Sequence, residues 1–175
     1  MRPRRHSRAV CRKSRSFAFI GAVAGLAGGL AEVGWITFYS GMTGTNGLDI
    51  ARQVANTVIP GISPSPFSST LGLVIHFSLS VVLGLILIRP VTALAQHRPP
   101  ALAPVCLGFL GLIWAVNFIF VLPILNPDFL RLLPLWVTLF SKLLFGMAFA
   151  GIVGTRAVGS GYRAGTLSPR AASVP

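Results

Sequence analysis

Four side chains in this 175-residue sequence could carry chemistry from within otherwise apolar stretches: Glu32, His76, Asn117 and Lys142. An acid, an imidazole, an amide and an amine brought together could form an ion pair, relay protons or hold an ion. Acids are scarce, since Glu32, Asp49 and Asp128 are the only three. Chemistry that needs several carboxylates is therefore excluded. No phosphate-binding loop or metalloprotease pattern occurs. Tyr39-Ser40-Gly41 and Gly159-Ser160-Gly161 lack the strand, turn and His/Asp partners that a nucleophile requires. No catalytic residue is expected. Cys11 and Cys106 lie far apart without metal-type spacing, so both read as unpaired thiols, and no metal or cofactor is expected.

The elements that position these groups follow from composition. Hydrophobic residues make up 53% of the chain and charged ones 10%, with a mean hydropathy of +0.76. A soluble domain carries about 25% charged residues. A bilayer core about 30 Å thick needs about 20 apolar residues per helix. Four stretches qualify, at about 17–39, 69–88, 102–125 and 135–155. Lipid leaves no partner for a free backbone group, so each must be a helix or a barrel strand. None shows the alternation of barrel strands. The fold class is an all-α, four-transmembrane-helix bundle.

Punctuation supports these limits. Arg89-Pro90 ends the second run and Pro99-Pro100 precedes the third. Asn126-Pro127-Asp128 reads as an N-cap followed by Pro at the first helical position, predicting a short helix between the last two spans. Between the first two spans, Leu48, Ala51, Val54, Ala55 and Val58 recur at helical spacing. They predict a short amphipathic helix in the first outer loop, lying on the membrane surface or capping the bundle. Residues 17–158 form the membrane domain, between a basic tail at 1–16 and a Gly-, Ser-, Ala- and Arg-bearing tail at 159–175 that is expected to be disordered.

Charge fixes orientation. Twelve Lys or Arg fall in the two tails and the loop between the middle spans, against Arg52 and Arg131 on the other side. By the positive-inside rule both termini face the cytoplasm. The bilayer is the expected partner, and nucleic acid is not.

Depth brings the polar groups together. Glu32 and Asn117 lie about 22 Å from the inner ends of their spans, and His76 and Lys142 about 10 Å from their outer ends, at 1.5 Å per residue. All four are expected at one height in the outer third of the membrane. Small residues share their faces: Gly21, Gly25 and Gly29 in the first span, Gly72 and Gly84 with His76 in the second, Gly146 with Lys142 in the fourth. Such stripes let helices approach closely in lipid. A buried cluster around Glu32 and Lys142 is predicted, with His76 and Asn117 within reach. Trp35, Tyr39 and Trp136 mark the outer interface, while Trp114 lies deeper.

Three short stretches carry a likeness to a known group: Phe19 to Gly25, Ile75-His76-Phe77-Ser78, and the Pro-rich turn from Pro123 to Pro134. They resemble the YagU-type bacterial inner-membrane proteins. The resemblance implies a four-span inner-membrane protein and a link to acid-stress tolerance, with no site residues to carry over. The expected function is that of a structural or accessory component, oligomeric through the glycine stripe of the first span. The alternatives are a small proton- or ion-conducting protein using Glu32, His76 and Lys142, and a haem- or metal-binding subunit completed by another chain.

Overall fold

The computed structural model describes residues 4–95 and 101–165, with side chains described over 17–95 and 101–155. The chain runs α1 (Arg4–Thr43), α2 (Gly47–Val58), α3 (Pro66–Ala95), α4 (Leu102–Ala115), a turn of π-helix (Val116–Val121), α5 (Leu122–Leu125), α6 (Pro127–Leu132) and α7 (Leu135–Gly165). Four stretches, Phe17–Thr43, Pro66–Ala95, Leu102–Leu125 and Leu135–Thr155, are long and apolar enough to cross a bilayer. The described residues contain no strand. Large apolar side chains such as Leu30, Ile86, Leu112, Phe120 and Met147 point outward, as lipid permits and water does not. The protein is a multi-pass, all-α membrane protein.

The helix ends have local causes. Gly44 takes a left-handed φ of 73° and its N–H bonds to the Ser40 carbonyl, closing α1. Ser65 and Ser68 exchange side-chain and backbone hydrogen bonds around Pro66, a reciprocal cap that starts α3. The expected cap at Asn126 is present: its Oδ1 accepts from the Phe129 N–H at 3.2 Å, and Pro127 opens α6. The same side chain does more than cap, because its amide donates to the Gln53 carbonyl and to Thr57 Oγ1, tying α6 to α2.

The expected stop at Arg89-Pro90 is corrected: Pro90 lies inside α3, which continues to Ala95. Val91 and Ala95 are buried in the core beyond it, and Thr92 Oγ1 donates to the Ile88 carbonyl at 2.6 Å. Packing outweighs the lost backbone bond. Pro99-Pro100 lies outside the described residues. The third span is likewise interrupted where a plain helix was expected. Pro123 has no N–H, and its ring would crowd the carbonyl four residues earlier. The widened turn before it bonds the Leu122 N–H to the Asn117 carbonyl five residues back. α7 runs to Gly165, past the expected domain limit at 158, and the rest of the tail lies outside the described residues.

Residue contacts fix the arrangement. Gly21 and Gly25 of α1 meet Gly84 and Ser80 of α3, whereas Gly28 meets Phe145 of α7. On the far side of α7, Gly146 meets Leu107 of α4. The spans therefore pack in the order α3, α1, α7, α4, each antiparallel to its neighbour. α3 and α4 meet around Leu87, Val91, Cys106 and Leu110, joining Phe145 and Phe149 in one core. A second core, near the start of α7, gathers Ile50, Phe118, Leu122, Phe129, Leu133 and Val137.

One expectation about faces changes here. The glycine stripe of the first span is spent inside the chain, against α3, and is not free to join another copy. Of the two placements expected for α2, it takes the second and caps the bundle. It docks where the Ala51 carbonyl meets Gly72, and Ser69 Oγ donates to the Leu48 carbonyl. Its buried face is Ile50, Ala51 and Ala55, while Leu48 and Val58 are exposed, because the small alanines allow the closest approach.

A Cβ at Gly84 would overlap the Gly21 carbonyl and the Gly25 backbone, whereas one at Gly34 would meet nothing within 4 Å. Gly84→Val should destabilise the bundle by about 3 kcal/mol, at the upper end for overpacking. Gly34→Ala should change stability by less than about 1 kcal/mol. Thermal unfolding in detergent checks both, and equal effects would contradict the backbone contact.

Candidate functional site

The α1–α7 register brings Glu32 to Lys142. Gly28 against Phe145 below and the Trp35 indole N–H donating to the Val137 carbonyl at 3.1 Å above bracket the pair. Lys142 Nζ lies 2.6 Å from Glu32 Oε1, and Ser141 Oγ approaches the same oxygen at 3.3 Å. Glu32 is only 3% exposed. A carboxylate removed from solvent to this degree needs a counter-charge and donors. Both come from consecutive residues of one turn.

The α1–α3 seam brings in the histidine. Close approach at the glycines places His76 Nε2 3.3 Å from the Gly29 carbonyl. A carbonyl only accepts, so Nε2 carries a proton and donates it. The same Nε2 lies 3.8 Å from Glu32 Oε2, too far for a hydrogen bond. Glu32 Oε2 is buried and has no hydrogen-bond partner. One oxygen of the carboxylate is thus satisfied and the other is not.

Asn117 does not join the cluster, which corrects the single height expected for all four groups. Leu107 against Gly146 and the Trp114 N–H on Thr138 Oγ1 set the α4–α7 register. That register places Asn117 about six residues, roughly 9 Å, beyond the level of Lys142 towards α2. It sits on the π turn and lines a cavity of about 560 Å³ that Glu32, His76 and Lys142 also line. The walls are largely apolar, including Ile36, Leu79, Leu83 and Phe118. α2 covers one end through Ile50 and Val54.

No protein-family model, curated protein or solved structure matches this chain.

The six glycines singled out from the sequence fall into three interfaces. Gly21, Gly25, Gly29 and Gly84 form the α1–α3 seam, Gly72 receives α2, and Gly146 receives α4. The described residues contain no group of three or more His, Cys, Asp or Glu that could hold a metal. Cys106 is a free, buried thiol within the first core. Cys11, His6 and His97 have no described side chains. Trp35, expected as an interfacial anchor, is half-buried and hydrogen-bonded to α7, while Trp136 remains exposed.

Sequence reasoning missed two members of the site. Ser141 stands beside Lys142, and adjacency alone hinted at it. Ser40 Oγ is buried without a partner in the same cavity. It follows Glu32 by eight residues, a little over two turns, so it extends the face on which Glu32 lies.

Removing the amine leaves an uncompensated buried carboxylate. Lys142→Met should therefore cost roughly 3–5 kcal/mol. Combining it with Glu32→Gln should recover most of that loss, because neither charge then remains. A double variant as unstable as the single one, by thermal or denaturant unfolding in detergent, would show that the two charges are not coupled.

Proposed function

We propose that this chain is a bacterial inner-membrane protein with both termini in the cytoplasm, acting as a non-enzymatic structural or accessory component. The positive-inside asymmetry and the likeness to YagU-type proteins support the location. The functional reading rests on what lies beneath the ion pair. From Lys142 towards the end where α3 and α4 meet, α7 next buries Phe145 and then Phe149 in the first core, each with no exposure.

Proton or ion passage needs a chain of titratable groups or water through the whole membrane. Glu32, His76 and Lys142 offer such groups at one level, and the described residues add no further acid or histidine within the aromatic and aliphatic layer. The cavity passes the cluster only as far as Leu83 and Phe145, and Phe149 is buried beyond them. Such a site holds; it does not conduct. The pair joins α1 to α7, and His76 hydrogen-bonds α3 to α1, so the same charges that would serve a path also fix the rotation of three helices.

Two measurements test this together. Proteoliposomes carrying an imposed pH gradient and an interior pH dye should leak no faster than protein-free vesicles. Flux well above that background, abolished by Glu32→Gln, would replace the accessory reading with a conducting one. Reversing the pair (Glu32→Lys with Lys142→Glu) should restore most of the thermal stability that either single change removes.

A further inference from the structure

The cavity holds unmet polar demand in an apolar setting. Among the described residues, two buried side-chain atoms lack hydrogen-bond partners, Glu32 Oε2 and Ser40 Oγ, and both belong to residues lining this cavity. Lys142 has three ammonium hydrogens, and Glu32 is its only hydrogen-bonding partner among the described residues. Its side chain keeps 19% exposure through the cavity. At one end, then, an unused carboxylate oxygen and unused N–H groups lie side by side.

We propose that this cavity binds an uncharged, hydroxyl-bearing lipid. A single hydroxyl answers both demands: its oxygen accepts from the Lys142 ammonium that the cavity exposes, and a small turn of the Glu32 carboxylate brings the buried Oε2 to its O–H. Charge selects the class. Glu32 and Lys142 already neutralise each other at 2.6 Å, so an ionic head group would enter low dielectric without a counter-charge. A metal cation lacks ligands, since no group of three candidate metal-binding side chains occurs among the described residues. Water can answer the polar end, but the Ile36, Leu79, Leu83 and Phe118 walls offer it few partners, so the rest of the volume suits hydrocarbon.

Size and access agree. About 560 Å³ is the volume of roughly twenty waters at about 30 Å³ each, within the range of small-molecule sites. Leu79, near the middle of α3, both lines the cavity and is 58% exposed. The cavity therefore reaches the lipid-facing surface of the bundle beside α3. α3 and α4 meet at the Leu87–Leu110 end, and across the cavity from α3 stand Asn117 and Phe118 of the π turn. The apolar part of the ligand leaves through this gap into the bilayer.

This inference goes beyond the accessory reading and fails separately from it, because flux and binding are independent measurements. The test uses the full chain in phosphatidylcholine nanodiscs with two photoactivatable probes, a diacylglycerol and a polyprenol, each paired with its methyl ether. Saturable labelling of peptides containing Leu79 or Phe118 by at least one alcohol is expected, and the labelled arm identifies the source. Methylation should weaken labelling about tenfold, the factor for losing one hydrogen bond to a charged group. Leu83→Trp, which fills the cavity and leaves the cluster intact, should do the same, with unfolding in detergent checking that the fold survives the change beside the first core. Labelling by neither alcohol, equal labelling by alcohol and ether, or labelling unaffected by Leu83→Trp would each overturn the proposal.

Discussion

A carboxylate inside an apolar bundle must be answered by groups from neighbouring helices, and Glu32 is met from both flanks. Lys142 and Ser141 approach from α7, and the imidazole of His76 stands on the α3 side. These contacts are feasible because α1 carries glycine where it meets α3. With Gly25 and Gly84 backbone to backbone, the helices lie close enough for His76 to reach the Gly29 carbonyl. The small-residue seam sets the distance between helices, and the charges set their rotation. Neither suffices alone, since glycines permit several registers and a distant ion pair would not form.

The cluster also separates two apolar cores. On one side α3 and α4 close around Cys106, Leu110, Phe145 and Phe149. On the other, the second core gathers residues of α2, the π turn, α6 and α7 without any from α3. Pro123 obliges the preceding turn to widen, Asn126 clasps α6 to α2, and α2 packs onto Gly72. Each is a local solution to a backbone demand. Their joint result is a cavity with a charged cluster in its lining and largely apolar walls.

Much of this was legible in the sequence. Spans follow from apolar run length, because lipid permits few alternatives to helix. The Glu32–Lys142 partnership follows from the scarcity of intramembrane charge, since each is the other's natural counter-ion. Asn126 announced its cap through the Asn-Pro pair. What stayed hidden depends on register between helices. Asn117 looked level with Lys142 when depths were counted from span ends, but a shift of under two turns between α4 and α7 removes it. Pro90 read as a stop because nothing local reveals that Val91 and Ala95 are needed in the core. The glycines of the first span announced a close contact without naming the helix across it, and an oligomer was as consistent with the pattern as α3. The cavity could not be read at all, because it is the space between surfaces whose spacing no single segment encodes.

The half-satisfied state of Glu32 is the most informative feature of the site. A bundle that needed only cohesion would gain as much from apolar residues of similar volume, because burying two ions costs about as much as their attraction returns. Were the pair present solely for register, Ser141 and Lys142 could complete it against a sealed wall. Instead Oε2 faces His76 across 3.8 Å, beside a cavity that also exposes the ammonium. An unanswered oxygen in low dielectric costs free energy unless something in that space meets it. Phe145 and Phe149 are buried on the side of the pair where α3 and α4 meet, and Leu79 on the cavity wall faces lipid, so an occupant from the bilayer would meet a demand that the protein itself leaves open.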